Sequence, residues 1–192
     1  MHLKKLLLLV SALTISVNIL AQRKTNSHNH ATEVSMVPAD FCSSLKRVME
    51  NAPNDYKNFA GKTIFVSSDY TVWESTYKIS GAIYCKIASS GWSYNKGFNS
   101  TQCSSRSRDT IVNQFEKYKN ALSVCLSGMG YPELENTRDH PGRLHQKACT
   151  FRATLDDGQL AWDITKPVLS LEIDSSVNHY NLRLSVWMER NH

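Results

Sequence analysis

Several signatures of catalysis and ligand binding are missing from this chain. There is no G-x-S-x-G elbow, no glycine-rich phosphate loop, no H-E-x-x-H zinc motif and no EF-hand calcium loop. No C-x-x-C occurs, so a redox motif or a zinc ribbon has no sequence support. Glycine and proline are sparse, at 8 and 5 in 192 residues, which excludes a collagen-like or low-complexity chain. Beyond residue 21 no apolar run approaches the roughly 18 residues of a membrane span. Charge of one sign is also lacking. The 22 Lys and Arg against 17 Asp and Glu leave +5, spread along the chain, and nucleic-acid binding does not follow from that.

What is present begins with a leader. Lys4 and Lys5 precede an apolar stretch, Leu6 to Leu20, and Ile19-Leu20-Ala21 fits a cleavage site with a small residue before the cut. Residues 1–21 therefore read as a signal peptide, and the expected location is secreted or periplasmic. Residues 22–38 are polar and aperiodic, and read as a flexible arm. Its His28 and His30 are two ligands on a tail, too few for a defined metal site, and no metal or cofactor is expected. Residues 39–190 read as a single domain.

Export makes the five cysteines bridge candidates before metal ligands. A five-residue hairpin tip at 92–96 would set Cys85 opposite Cys103. Antiparallel neighbours have α-carbons about 4.5–5.5 Å apart, within disulfide range. Cys125 with Cys149 is the second expected pair, and Cys42 is left over on the first helix.

Two helices stand out by their spacing. Phe41, Leu45, Val48, Met49 and Ala52 recur at helical intervals after Asp40, and Pro53 stops them. Ile111, Val112, Phe115, Tyr118, Leu122, Cys125 and Leu126 form a longer stripe, expected to be capped by Asp109 and ended by Gly128. The rest alternates or is rich in β-formers: Thr63–Ser67, Tyr70–Ile79, Ala82–Ala88, Phe98–Ser104, Lys147–Leu155, Leu160–Ile164, Val168–Asp174 and Tyr180–Met188. Leu169, Leu171 and Ile173 share one side with Leu182, Leu184 and Val186, while Arg183 and Ser185 face out. The expected fold is α+β: antiparallel sheet with two helices packed on one face. Its order is helix–strands–helix–strands, and the two halves have similar layouts. A closed β-barrel fits less well, because two good helices are present.

Two segments could carry function. The tip Gly91–Phe98 offers Trp92, Tyr94 and Phe98 as a ligand surface. The loop Arg138–His145 gathers His140, Arg143 and His145, which with His179 could hold a phosphate ester and move protons. A polar, solvated loop explains that composition equally simply. The sequence therefore favours an exported binding module for a protein or envelope ligand, rather than an enzyme. A small metal-free hydrolase of phosphate esters, using the loop histidines, is the alternative.

Overall fold

Phe41, Leu45, Val48 and Met49 return to one side of a helix every three or four residues, and all four are buried. They define α1 (Phe41–Asn51), the first element of a computed structural model that describes residues 36–90, 96–135, 147–154, 163–176 and 179–189. The expected leader and most of the arm lie outside the described residues. A 3₁₀ turn at Ala52–Asn54 and two left-handed residues, Asp55 and Tyr56, end α1. Four strands follow: β1 (Ala60–Val66), β2 (Tyr70–Ser75), β3 (Tyr84–Ser90) and β4 (Lys96–Ser105). After α2 (Arg108–Leu126) come β5 (Glu133–Glu135), β6 (Ala148–Phe151), β7 (Val168–Ser176) and β8 (His179–Trp187).

All eight strands join one antiparallel sheet in the order β1-β2-β3-β4-β8-β7-β6-β5. Each half is thus a helix followed by four strands, and the halves meet where β4 pairs with β8. This is the expected α+β architecture, with both helices sharing one core on one side of the sheet. Phe98, Ile87, Leu169, Leu171, Leu182, Leu184 and Val186 face that core from the strands. Ile111, Phe115, Tyr118, Leu122 and Leu126 meet them from α2. Between the helices, Phe41 stands edge-on to Tyr118 with ring centroids 5.3 Å apart. Among the described residues no helix is long and apolar enough to cross a membrane.

Polar contacts fix the elements locally. Ser80 at the β2–β3 turn donates from its Oγ to Asp40 Oδ1 at 2.5 Å, and its backbone N–H donates to Ser44 Oγ. The turn holds α1 against the sheet. Gly81 lies there at φ 82°, where a Cβ would sit 2.8 Å from the Pro38 ring, so only glycine fits both conformation and space. Tyr56, fully buried, donates its hydroxyl to the Val186 carbonyl at 2.7 Å, anchoring the exit of α1 to β8.

The structure corrects several expectations. Cys42, not Cys149, bridges Cys125, with α-carbons 5.4 Å apart. Cys42 and Cys125 lie on separate helices, so only the packing of those helices reveals their proximity. Cys85 does not face Cys103: the β3–β4 ladder closes at Ser89↔Lys96 and sets Cys85 against Ser100. The register between the strands is therefore shifted from the expected one, with Gly97 opposite Ala88 and not Gly91, and Cys103 falls beyond an irregularity, opposite Leu182 of β8. Cys85 and Cys149 are both buried. The α2 cap is Ser107, whose Oγ accepts from the Thr110 N–H, while Asp109 sits inside the first turn. The helix ends at Leu126 and passes through a 3₁₀ turn to Gly130, not Gly128, as the left-handed residue. β5 is an additional strand, and Asp163–Lys166 forms a turn where the end of a strand was expected.

Closing a loop with a sequence separation of 83 contributes about 4.5 kcal/mol on the chain-entropy model. Cys42→Ser should lower urea-unfolding stability by an amount of that order, and non-reducing peptide mapping should recover the Cys42 and Cys125 peptides linked. Tyr56→Phe removes one buried hydrogen bond and leaves a carbonyl short of a donor, and should cost about 1–2 kcal/mol by the same measurement.

Candidate binding surface

The two helices cover only one face of the sheet. On the other face, alternation and register align side chains into rows that cross the strands. One row is apolar across six strands: Phe65↔Val72↔Ala88↔Gly97↔Trp187↔Val168. Val72, Ala88 and Val168 are nearly buried by their neighbours, while Phe65 is 54% exposed. Tyr70 extends the apolar patch beside it, ring centroids 6.5 Å apart. In the middle of the row Gly97 leaves a dip beside Trp187. A Cβ there would meet Trp187 Cβ and Asn99 Nδ2 only at 3.7 and 3.6 Å, so packing does not demand glycine.

The neighbouring rows are polar. Glu74, Lys86, Asn99, Ser185, Ser170 and Thr150 form the next one, tied by Ser185 Oγ donating to Asn99 Oδ1 at 2.8 Å. Beyond it, Arg183 bridges Glu172 at 3.5 Å and also pairs with Asp174. Burial raises the pKa of Glu172 despite the attraction of Arg183, and Asp174 adds to the rise. Burial likewise pushes the Lys86 ammonium down, helped by Arg183 and opposed by Asp174. A half-buried ion network laces one part of the face, and an apolar strip lies beside it.

The sequence-predicted residues fall differently. Phe98 is fully buried on the helix side, 5.9 Å from Tyr56 and 6.4 Å from Phe59 between ring centroids. It belongs to the core and not to an exposed tip, because β4 begins at Lys96 and its register sets Phe98 between Ile87 and Val186, both buried. Trp92 and Tyr94 lie outside the described residues, in the sequence between β3 and β4. His140, Arg143 and His145 also lie outside the described residues. His179 is exposed, opposite Ser176 at the start of β8. Eight residues of strand, roughly 27 Å, separate it from Trp187. Among the described residues no group of three or more His, Cys, Asp or Glu is placed to hold a metal ion.

Sequence reasoning missed Phe65, Tyr70 and Trp187. The alternation of Leu182, Leu184 and Val186 already places Trp187 on the far face. Phe65 carried no such signal, because Ile64-Phe65-Val66 does not alternate. No protein family, curated protein or solved structure matches this chain, so its own geometry carries the functional reading.

A raised folded-state pKa at Glu172 means that the folded chain holds that proton more tightly than the unfolded one. The resulting stability is complete below the reference value of 4.5 and is lost as pH climbs through the raised folded value. Glu172→Gln should flatten this loss, read as urea midpoints from about pH 4 to about pH 8. A variant with an unchanged pH profile would contradict the burial argument.

Proposed function

We propose that the protein is an exported, non-enzymatic module that holds a protein or envelope ligand on the open face of its sheet. The observation that carries this reading is the apolar row from Phe65 to Val168, which lies on the face opposite both helices. An apolar strip flanked by polar and charged rows matches the anatomy of a protein-binding patch: a dry centre, a hydrogen-bonding rim and aromatic anchors. Export is supported by the leader pattern of residues 1–21 and by the Cys42–Cys125 bridge, which suits an oxidising compartment.

Ser89 to Lys96, the stretch that includes Trp92 and Tyr94, reads Ser-Ser-Gly-Trp-Ser-Tyr-Asn-Lys. Rigid aromatics among small, adaptable polar residues are the composition that antibody loops use to grip folded proteins.

The test is capture of an envelope ligand by purified protein, compared across variants. Phe65→Ser and Gly97→Leu, the second filling the dip, should each weaken capture about tenfold or more. Both should leave the circular-dichroism spectrum and unfolding midpoint near native. His179→Ala and the pair His140→Ala/His145→Ala should capture normally. The opposite pattern, with the histidine variants inactive and the open-face variants indistinguishable from native, would sink the binding reading in favour of a hydrolase.

A further inference from the structure

We infer that the Cys42–Cys125 bridge is a reversible exchange site, opened and closed by the dithiol of a partner oxidoreductase. This goes beyond the ligand-binding reading, because it concerns the helical layer and not the open face of the sheet.

Access sets the bridged sulfurs apart from the free ones. Cys42 is exposed and Cys125 is half-buried, although together they form the bridge. Of the free cysteines, Cys85 and Cys149 are buried and Cys103 is half-buried. Burial pushes the Cys85 and Cys103 thiols up, which keeps them protonated and unreactive. The sulfur that solvent reaches most openly is therefore already in a bridge. Exposed bridges are the labile ones, whereas bridges that serve only as staples resist reduction. Val124, next to Cys125, is 76% exposed and offers a docking polypeptide an apolar contact beside the bridge.

The two sulfurs also differ electrically. Cys42 is the second residue of α1, and Cys125 is the last but one of α2. Asp40 stands at the N-cap without capping; its carboxylate accepts from Ser80 Oγ instead. The first turn of α1 holds no acid, and N–H groups there without a helical partner favour an anion at Cys42. Lys46, one turn on, adds to this, although Glu50 shares it at 3.9 Å and Asp40 opposes it. Arg47 lies over the Tyr77 ring, and Lys78 acts on Cys85. From Asn120 to Leu126 α2 has no ionic side chain, and its last carbonyls disfavour an anion at Cys125. Once the bridge opens, the negative charge therefore rests on Cys42.

Access directs the first step to Cys42. A partner thiolate attacks Cys42 Sγ and breaks its bond to Cys125. Cys125 leaves as a thiolate and takes the proton of the partner's second thiol. That second sulfur attacks the partner sulfur of the mixed disulfide, closes the partner's own disulfide and expels Cys42 as a thiolate. The bridge is reduced and the partner dithiol is oxidised. Because Cys42 leaves easily, the mixed disulfide does not persist. The reverse sequence closes the bridge again.

The experiment uses the purified protein without denaturant, with dithiothreitol as the dithiol and glutathione as a monothiol, and reads each cysteine by alkylation and peptide mapping. Dithiothreitol should open the bridge at a rate proportional to its concentration and unchanged by urea below the unfolding transition. The circular-dichroism spectrum should stay native. Glutathione, trapped by acid, should be found on Cys42 and not on Cys125. In the reduced protein the pH midpoint for alkylation of Cys42 should fall below the ordinary thiol value of about 8.5, and Lys46→Glu should raise it. Opening that only keeps pace with global unfolding overturns the inference. So does glutathione on Cys125, or a Cys42 midpoint that is ordinary or indifferent to Lys46→Glu.

Discussion

The pairing of β4 with β8 is the constraint on which the rest of the molecule depends. Each half supplies a helix and four strands, and neither half alone could cover its innermost strand. Joining β4 to β8 converts two edges into the centre of one sheet, and both faces of that seam are occupied. Phe98 with Val186 and Ser100 with Leu184 face the helices. Gly97 with Trp187, and Asn99 with Ser185, face away. Gln102 continues the inward alternation of Phe98 and Ser100, its Nε2 donating to Ser100 Oγ at 2.7 Å, and it is the residue passed over at the irregularity between Thr101 and Cys103. That extra residue tightens the local twist without breaking the seam, since pairing resumes at Cys103↔Leu182 and continues to Ser105↔Tyr180.

The helical layer is held by more than apolar burial. α1 and α2 belong to different halves and approach one another above the seam, so their relative placement is not fixed by any single connecting loop. Two contacts join the helices directly, the Cys42–Cys125 bridge and the Phe41–Tyr118 edge contact, and a third, the Ser80 link to Asp40 and Ser44, fastens α1 to the β2–β3 turn. Tyr56 adds a fourth tie, down to the Val186 carbonyl beside the seam. Its left-handed backbone, and that of Asp55, are tolerated because the ring is buried and its hydroxyl is satisfied. Helix placement, the seam and the covered face thus form one mechanical unit.

Much of this was legible where periodicity was strong. The stripe from Ile111 to Leu126 and the paired alternation of β7 and β8 depend on local spacing, and both formed as expected. Legibility failed wherever the answer depended on register or on tertiary approach. A tip rich in Gly, Asn, Ser and Lys closes equally well in several registers. A shift of the closing pair moved Cys85 to Ser100 and drew Phe98 into the core. Cys42 and Cys125 meet only because two helices from distant parts of the chain pack together, which no spacing rule encodes. The open face was half legible: Trp187 follows from alternation, but Phe65 sits in an unbroken apolar run whose facing is decided by β2.

The open face and the free edge of β1 share a physical argument about what burial already achieves. On the covered side the apolar strand residues are consumed by the helices, and their exposure falls to essentially nothing. On the open side Val72, Ala88 and Val168 are hidden by their own row, yet Phe65 and Tyr70 stay accessible, as do Ile64 and Val66 along the edge. Burying such side chains would release roughly 25 cal/mol for each Å² of apolar surface, and folding of this chain alone leaves that stabilisation unrealised. A few scattered exposed apolar residues need no explanation. These are contiguous, lie at one side of the sheet, and border a strand that pairs with β2 alone among the described residues. Water can pair the free backbone groups of such an edge, but only contact with other apolar surface removes these side chains from it.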